Sequence, residues 1–224
     1  MAVYYDGISL QNRRGTNMDS LLLKRKTLAG RELCLAVVCD GVGSLVQGAF
    51  AASVAVRMFS TWFEKLESEN RIGLELRDYV MEIHQRVLEA ARGYQIRTAS
   101  TLSALLLDGE RYYVVHIGDS RIYCFRDGVF ERLTQDQVCC GRLTSCLGYE
   151  NRPDIQYNEG TLQGELFLLC TDGLYKHLDD DFIRLELKGK DKKLLKKTVE
   201  RLARCAVDRG EKDNISLALV LNER

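Results

Sequence analysis

Four aspartates lie at the ends of four apolar runs, and together they could bind a hard metal ion. They are Asp40, Asp119, Asp172 and Asp213. An apolar run of about six to eight residues is typical of a buried strand, and a carboxylate at its tip projects into the cleft at the edge of a sheet. Ionised carboxylates repel one another, at about 3 kcal/mol for a pair about 5 Å apart. A divalent cation removes this repulsion.

The donor atoms in these segments favour magnesium or manganese over zinc. All four ligands are oxygens, and no His or Cys stands at matching positions in the four segments. Hard cations prefer oxygen ligands. Alternatively, Asp40-Gly41 and Asp172-Gly173 are simple turns, because Asp-Gly is a common turn signal. Two such turns, each directly after an apolar run and accompanied by two further aspartates, favour a metal site.

Length and composition predict one soluble domain over residues 1–224. The chain has 224 residues and 46% hydrophobic content, which is enough for a sizeable core. Lys plus Arg and Asp plus Glu both number 32, so no overall positive charge attracts nucleic acid or an anionic membrane. The first residues lack an apolar core of signal-peptide length, and no apolar stretch is long enough to span a bilayer. We therefore expect a cytoplasmic protein.

The eight cysteines are expected to be reduced. Cys34, Cys39, Cys124 and Cys170 lie within apolar runs, where a free thiol behaves as a small hydrophobic side chain. The cluster 139–146 has a spacing that fits no zinc motif.

Strand-like and helical segments occur in blocks, which predicts an α+β fold. Runs typical of strands lie at 3–9, 19–27, 32–39, 99–107, 111–117, 121–126, 165–170 and 214–221. Helical periodicity covers 47–66, 73–93 and 191–210. Several consecutive strands are joined by short turns, as in LLLDGERYYVV, so much of the sheet must be antiparallel. This pattern favours helices packed outside two sheets.

The glycine-rich loop after the third apolar run also suggests a dinucleotide-binding turn. A strand, Gly41-Val42-Gly43 and a helix of small residues follow one another there. However, the spacing differs from GxGxxG, and Asp40 would repel the pyrophosphate that such a turn holds. A metal site fits the acid better, with Gly41 allowing its carbonyl to approach the ion.

Six motifs in order resemble the metal-dependent protein phosphatase family, known as PPM or protein phosphatase 2C-like serine/threonine phosphatases. They are 14–19 (RGTNMD), 38–43 (VCDGVG), 100–101 (ST), 117–121 (IGDSR), 169–174 (LCTDGL) and 213–216 (DNIS). The match is to the bacterial type, with a shortened flap between Thr134 and Leu147. The resemblance implies a four-layer α-β-β-α sandwich with two central, mainly antiparallel sheets, formed by a single phosphatase domain.

The resemblance also implies a ligand set for two Mn²⁺ or Mg²⁺ ions. Asp40 would bridge both ions, and Gly41 would offer its carbonyl to one of them. Asp172 and Asp213 would hold the other ion. Asp119 would help to bind a third, weaker ion.

Two further residues are candidates for catalysis by the same resemblance. Asp19 would bind metal-bound waters or a metal directly. Arg14 would grip the substrate phosphate, although the neighbouring Arg13 could do so instead and either could be a solvated loop charge. Met18 replaces an acid beside Asp19, which removes one partner for metal-bound water. His116 lies within an apolar strand and is expected to be packed rather than catalytic.

The function implied is hydrolysis of phosphoserine or phosphothreonine in proteins. A hydroxide bridging the two ions would attack phosphorus in line. The expected partner is a phosphorylated protein, such as a cytosolic serine/threonine kinase or one of its targets, and the enzyme is expected to be a monomer without nucleic-acid or membrane partners. One alternative is a catalytically weak or silent member that binds and regulates a phosphoprotein. Another is hydrolysis of a small phosphorylated metabolite.

Overall fold

Two five-stranded antiparallel sheets form the centre of the molecule in the computed structural model, which describes residues 2–43, 45, 47–67, 72–149 and 152–223. The first sheet contains, in spatial order, β1 (Ala2–Leu10), β12 (Ile215–Glu223), β11 (Leu166–Cys170), β6 (Arg121–Arg126) and β7 (Val129–Arg132). The second contains β10 (Gln156–Thr161), β5 (Arg111–Ile117), β4 (Leu102–Asp108), β3 (Arg31–Cys39) and β2 (Ser20–Leu28). A short hairpin consists of β8 (Val138–Cys139) and β9 (Arg142–Leu143).

Helices cover the outer face of each sheet. Helices α1 (Gly48–Lys65) and α2 (Ile72–Gly93) share a hydrophobic core with the second sheet. Helices α3 (Asp172–Tyr175), α4 (Asp180–Leu187) and α5 (Leu195–Asp208) share another with the first sheet. A third core lies between the two sheets. The predicted four-layer α-β-β-α sandwich is therefore confirmed.

Strand β3 shows why this sequence forms four layers. Side chains of a strand point alternately to its two faces. Leu33, Leu35 and Val37 face the helices, whereas Cys34 and Ala36 face the other sheet. Because both faces are covered, all of these residues are buried, and the strand is a continuous apolar run in the sequence rather than an alternating one.

The elements that the sequence analysis missed are short or polar. Strand β10 has the sequence QYNEGT, which lacks apolar alternation, and it lies at the edge of its sheet. Helix α3 has four residues, too few to show a helical period. The eight predicted strands and three predicted helices are all present, with ends shifted by a few residues.

All eight cysteines are free, and Cys34, Cys39 and Cys170 are buried. No helix in the described part of the chain has the length and hydropathy needed to span a bilayer.

Candidate metal centre

The four aspartates converge on one cavity at an edge of the two sheets. Asp40 follows β3, Asp119 lies just after β5, Asp172 lies just after β11 and Asp213 lies just before β12. Antiparallel neighbours bring the end of one strand beside the start of the next. All four side chains line a cavity of about 650 Å³.

The backbone at Asp40 is fixed by residues 100–101. The amide of Asp40 donates to Thr101 Oγ1 at 2.9 Å, and its carbonyl accepts from the Thr101 amide at 2.9 Å and from Ser100 Oγ at 3.0 Å. Thr101 Oγ1 is also 2.7 Å from Ser120 Oγ. These bonds give the Ser-Thr motif a positioning role that the sequence analysis did not assign to it.

Gly41 packs too closely against its neighbours for any side chain. A Cβ atom at Gly41 would lie 2.5 Å from the carbonyl carbon of Gly48 and 2.7 Å from the carbonyl oxygen of Met18. The Gly41 amide donates to that same Met18 oxygen at 3.2 Å. The absence of a side chain therefore lets the loop after β3 lie directly on the start of α1.

Asp19 lies beside the cavity and is not one of the residues that line it. Its side chain is 8% exposed and accepts a hydrogen bond from Thr171 Oγ1 at 2.9 Å. Burial, together with the charges of Asp172 and Asp213, raises the pKa of Asp19 to about 7. Thr171, which precedes a predicted ligand, thus orients the Asp19 carboxylate.

Charge crowding in the cavity is strong. Burial, followed by the charges of Asp19, Asp172, Asp119 and Asp213, raises the pKa of Asp40 well above its usual value. Burial and Asp172 also raise the pKa of Asp119 to about 6, although Lys176 opposes this shift. A group of oxygen donors that resist ionisation together is suited to a hard divalent cation, which favours their charged forms.

Two cationic side chains already contact this group of carboxylates. Arg14 donates from Nε to Asp213 Oδ1 at 2.8 Å and from Nη2 to Asp213 Oδ2 at 2.6 Å. Burial alone would raise the pKa of Asp213, but the hydrogen bonds from Arg14 and Asn214 hold it below its usual value. Lys176, one helical turn after Asp172, forms an ion pair with that carboxylate.

Two of the four cavity carboxylates are held in ion pairs with these cations. Among the described residues, no three His, Cys, Asp or Glu side chains form a ready-made metal cage. Asp213 is oriented by Arg14 and Asp172 by Lys176. The donor set is therefore present in one cavity, while two of its members are held by cations of the protein.

Asn214 anchors the loop that carries Arg14. Its Oδ1 accepts from the Met18 amide at 2.9 Å, and its Nδ2 donates to the carbonyls of Gln11 and Thr16 at 2.8 and 3.1 Å. Both candidate arginines are exposed, but Arg14 lines the cavity and Arg13 is not one of the lining residues.

The roles of Asn214 and Lys176 are visible only in the structure. Asn214 stands in the DNIS motif, in which it was given no role of its own, and Lys176 was not among the candidate residues. The signal for Lys176 was its position four residues after Asp172, which places the two on one helix face. That signal depends on a helix too short to predict.

His116 is packed, as expected. It is fully buried, with Nδ1 2.8 Å from Ser103 Oγ and Nε2 3.0 Å from the Gly118 carbonyl. Its ring therefore supports the turn that precedes Asp119.

Comparison with known proteins gives consistent matches over most of the chain. Residues 11–219 match the family model for protein phosphatase 2C. The protein phosphatase PhpP of Streptococcus pneumoniae is 28% identical, over 94% of this chain and 94% of its own length. The serine/threonine protein phosphatase PstP of Mycobacterium tuberculosis is 30% identical, over 54% of this chain and 27% of its own length. The crystal structure of the serine/threonine phosphatase Stp1 from Staphylococcus aureus has the same fold, with a TM-score of 0.88, 20% identity, and coverage of 100% of this chain and 96% of that one.

Proposed function

Because the chain belongs to the protein phosphatase 2C family, we propose that it is a metal-dependent phosphatase that hydrolyses phosphoserine and phosphothreonine in proteins. The observation that carries this proposal is the convergence of Asp40, Asp119, Asp172 and Asp213 on one cavity. Relatives named as serine/threonine protein phosphatases support the same substrate class. The family match over residues 11–219 supports a single phosphatase domain.

The cavity residues would hold two Mn²⁺ or Mg²⁺ ions. Asp40 and the Gly41 carbonyl would contribute to one site, and Asp40, Asp172 and Asp213 to the other. Asp119 would help to hold a third, weaker ion. When bound, the ions would supply hydroxide at neutral pH for hydrolysis of the phosphate ester.

The chain's own residues would orient this chemistry. Thr101 fixes the backbone at Asp40, and Thr171 holds the Asp19 carboxylate beside the cavity. Arg14 presents a planar guanidinium at the cavity wall, and its paired donors, once released from Asp213, would match two phosphate oxygens. We assign Arg14 to phosphate binding and Asp19 to the support of metal-bound waters.

The substrate would be a folded or flexible phosphoprotein, such as a cytoplasmic serine/threonine kinase or its target. The rim of the cavity includes Val42 and Leu143, which can contact the chain on either side of a phosphoresidue. We further propose that the enzyme acts in the cytoplasm as a monomer.

The test is phosphate release from a phosphothreonine peptide by the purified protein. We expect turnover with Mn²⁺, none with chelator, and loss of activity in Asp172→Asn. Asp208→Asn is the matched control, because Asp208 is an exposed aspartate at the end of α5. It should behave like the wild type.

The outcome also separates the alternatives. Peptide binding by well-folded protein without turnover at saturating Mn²⁺ would favour a silent member that regulates a phosphoprotein. Turnover of small phosphate esters with no turnover of phosphopeptides or phosphoproteins would favour a metabolite phosphatase.

A further inference from the structure

A second cavity adjoins the metal cavity and has the opposite charge. Its volume is about 740 Å³, and it shares Val42 and Leu143 with the cavity of the aspartates. Arg97, Arg142 and Arg152 line it. None of the described residues that line it is an aspartate or a glutamate. A basic recess therefore lies directly beside the site where the phosphate ester would be hydrolysed.

The three arginines are available to bind an anion. All three are exposed, and within the described parts of the chain none forms an ion pair or a side-chain hydrogen bond. In contrast, Arg121 and Arg201 each donate to both oxygens of a carboxylate. Pairing with a neighbouring acid is thus common for arginines in this protein, but it is not seen at this cavity.

Buried or bonded neighbours fix the segments that carry these arginines. Next to Arg97, Thr98 Oγ1 accepts from the Ala51 amide at 3.0 Å and donates to the Gln47 carbonyl at 2.6 Å. Arg142 belongs to β9, and the Thr144 amide after that strand donates to the Gln137 carbonyl at 2.8 Å. The guanidinium groups of Arg97 and Arg142 are therefore attached to anchored backbone.

The third segment is anchored in the same way. Arg152 precedes the buried Pro153, and the next amide, that of Asp154, donates to Ser145 Oγ at 2.9 Å. The cavity also has an apolar side formed by Leu45 and Tyr149. It can therefore contact both the charged head and the carbon stem of a bound side chain.

We propose that this cavity binds a second phosphorylated side chain of the same substrate, a few residues from the phosphoresidue that is hydrolysed. The inference rests on the proposed function and specifies its substrate class. Guanidinium groups pair with phosphate through two parallel hydrogen bonds. Three of them around one recess suit a group with a charge of about −1.5 to −2 better than a carboxylate with a single charge.

The test uses phosphothreonine peptides that differ at one flanking position. That position carries a non-hydrolysable phosphonate, a glutamate or an alanine, and is moved from two to four residues away on either side, as suits an extended chain of about 3.3–3.6 Å per residue. At fixed salt, we expect the best phosphonate peptide to have a kcat/KM about tenfold above that of the alanine peptide, mainly through a lower KM. The glutamate peptide should gain less.

Substitutions of the three arginines test whether these side chains cause the preference for the phosphonate peptide. The triple variant Arg97→Ala, Arg142→Ala, Arg152→Ala should bring the ratio between the phosphonate and alanine peptides close to one. Its turnover of a small aryl phosphate and of the alanine peptide should stay within about twofold of the wild type, because these substrates do not reach the second cavity. Arg204→Ala, on the exposed face of α5, is the matched control and should keep the full preference.

Three results would overturn the inference. They are no preference for phosphonate in the wild type, the same preference in the triple variant, or an equal gain from glutamate and phosphonate. If the triple variant fails to fold, as judged by its melting curve, the three single variants replace it.

No turnover of any substrate would instead contradict the proposed function. Anisotropy with a labelled phosphonate peptide would then test the cavity, and unchanged binding in the variants would exclude it.

Discussion

Arg14 and Asp213 form a two-point ion pair, in which Nε and Nη2 of the arginine donate to the two carboxylate oxygens at 2.8 and 2.6 Å. The side chains are 56% and 31% exposed, so solvent screens the pair. The residue assigned to phosphate binding thus contacts a residue assigned to metal binding. The pair links the two proposed sites through one contact.

Replacement of Arg14 should separate phosphate binding from metal binding. In Arg14→Ala we expect kcat/KM for a phosphothreonine peptide to fall about 10- to 100-fold, because hydrogen bonds to charged groups contribute about 1.5–3 kcal/mol. Affinity for Mn²⁺, measured by calorimetry, should stay the same or increase, because Asp213 loses a competing cation. Arg13→Ala is the control. Weaker Mn²⁺ binding with an unchanged kcat/KM would contradict the assignment.

Neutralising Asp40 should stabilise the metal-free protein. Its raised pKa reflects the cost of ionising a half-buried carboxylate among other acids. In chelator, Asp40→Asn should raise the melting temperature by at least about 2–4 °C, which corresponds to about 1 kcal/mol for a chain of this size. Mn²⁺ should raise the melting temperature of the wild type but not that of the variant. A lower melting temperature for Asp40→Asn in chelator would refute the account of charge crowding.

Two glycines of the loop after β3 should respond differently to substitution. In Gly41→Ala the new methyl group would collide with the backbone of Gly48 and Met18, at a cost of about 1–3 kcal/mol. Gly43→Ala has open space around its Cβ position and serves as the matched control. Urea unfolding in chelator measures the free energy of unfolding of both variants. Equal effects of the two substitutions would argue against the close approach at Gly41.

His116 should make the protein sensitive to acid. Burial lowers the pKa of His116 from 6.5 to about 4, although the hydrogen bond to Gly118 opposes the shift. In the unfolded chain His116 therefore binds a proton near pH 6.5, whereas in the folded protein it binds one only near pH 4. The contribution of His116 to the free energy of unfolding should therefore fall by about 3 kcal/mol across this range as the pH decreases, whereas the raised pKa values of Asp19 and Asp119 act in the opposite direction.

Urea unfolding between pH 4 and 7 in chelator tests this prediction. As the pH falls from 7 to 4, the free energy of unfolding of His116→Gln should fall less, or rise more, than that of the wild type, because one site of proton uptake by the unfolded chain is lost. If His116→Gln and the wild type have the same slope, the buried ring is not the origin of the acid sensitivity.

Much of the fold could be predicted because burial on both faces leaves a clear pattern. Strand β3 is a continuous apolar run, and α5 shows a clear helical period. The convergence of Asp40 and Asp172 could also be anticipated, because each directly follows an apolar strand. Antiparallel pairing within one sandwich brings such strand ends to a common edge.

Other features depend on tertiary contacts that a linear pattern does not contain. The partners of Arg14 and Asn214 lie about two hundred positions away in the chain, so no local spacing predicts them. The basic cavity joins Arg97, Arg142 and Arg152 from three separate loops or hairpins. Each of these arginines alone is typical of a solvated surface charge.

The most direct test of the account is a titration of metal-free protein with Mn²⁺, in which calorimetry records bound ions and phosphate release from a phosphothreonine peptide records activity. We expect at least two ions per chain and hydrolysis that rises as the sites fill, with both signals lost in Asp172→Asn and kept in Asp208→Asn. A folded wild-type protein that binds no Mn²⁺, or that binds it and leaves the peptide intact at saturation, would contradict the central claim.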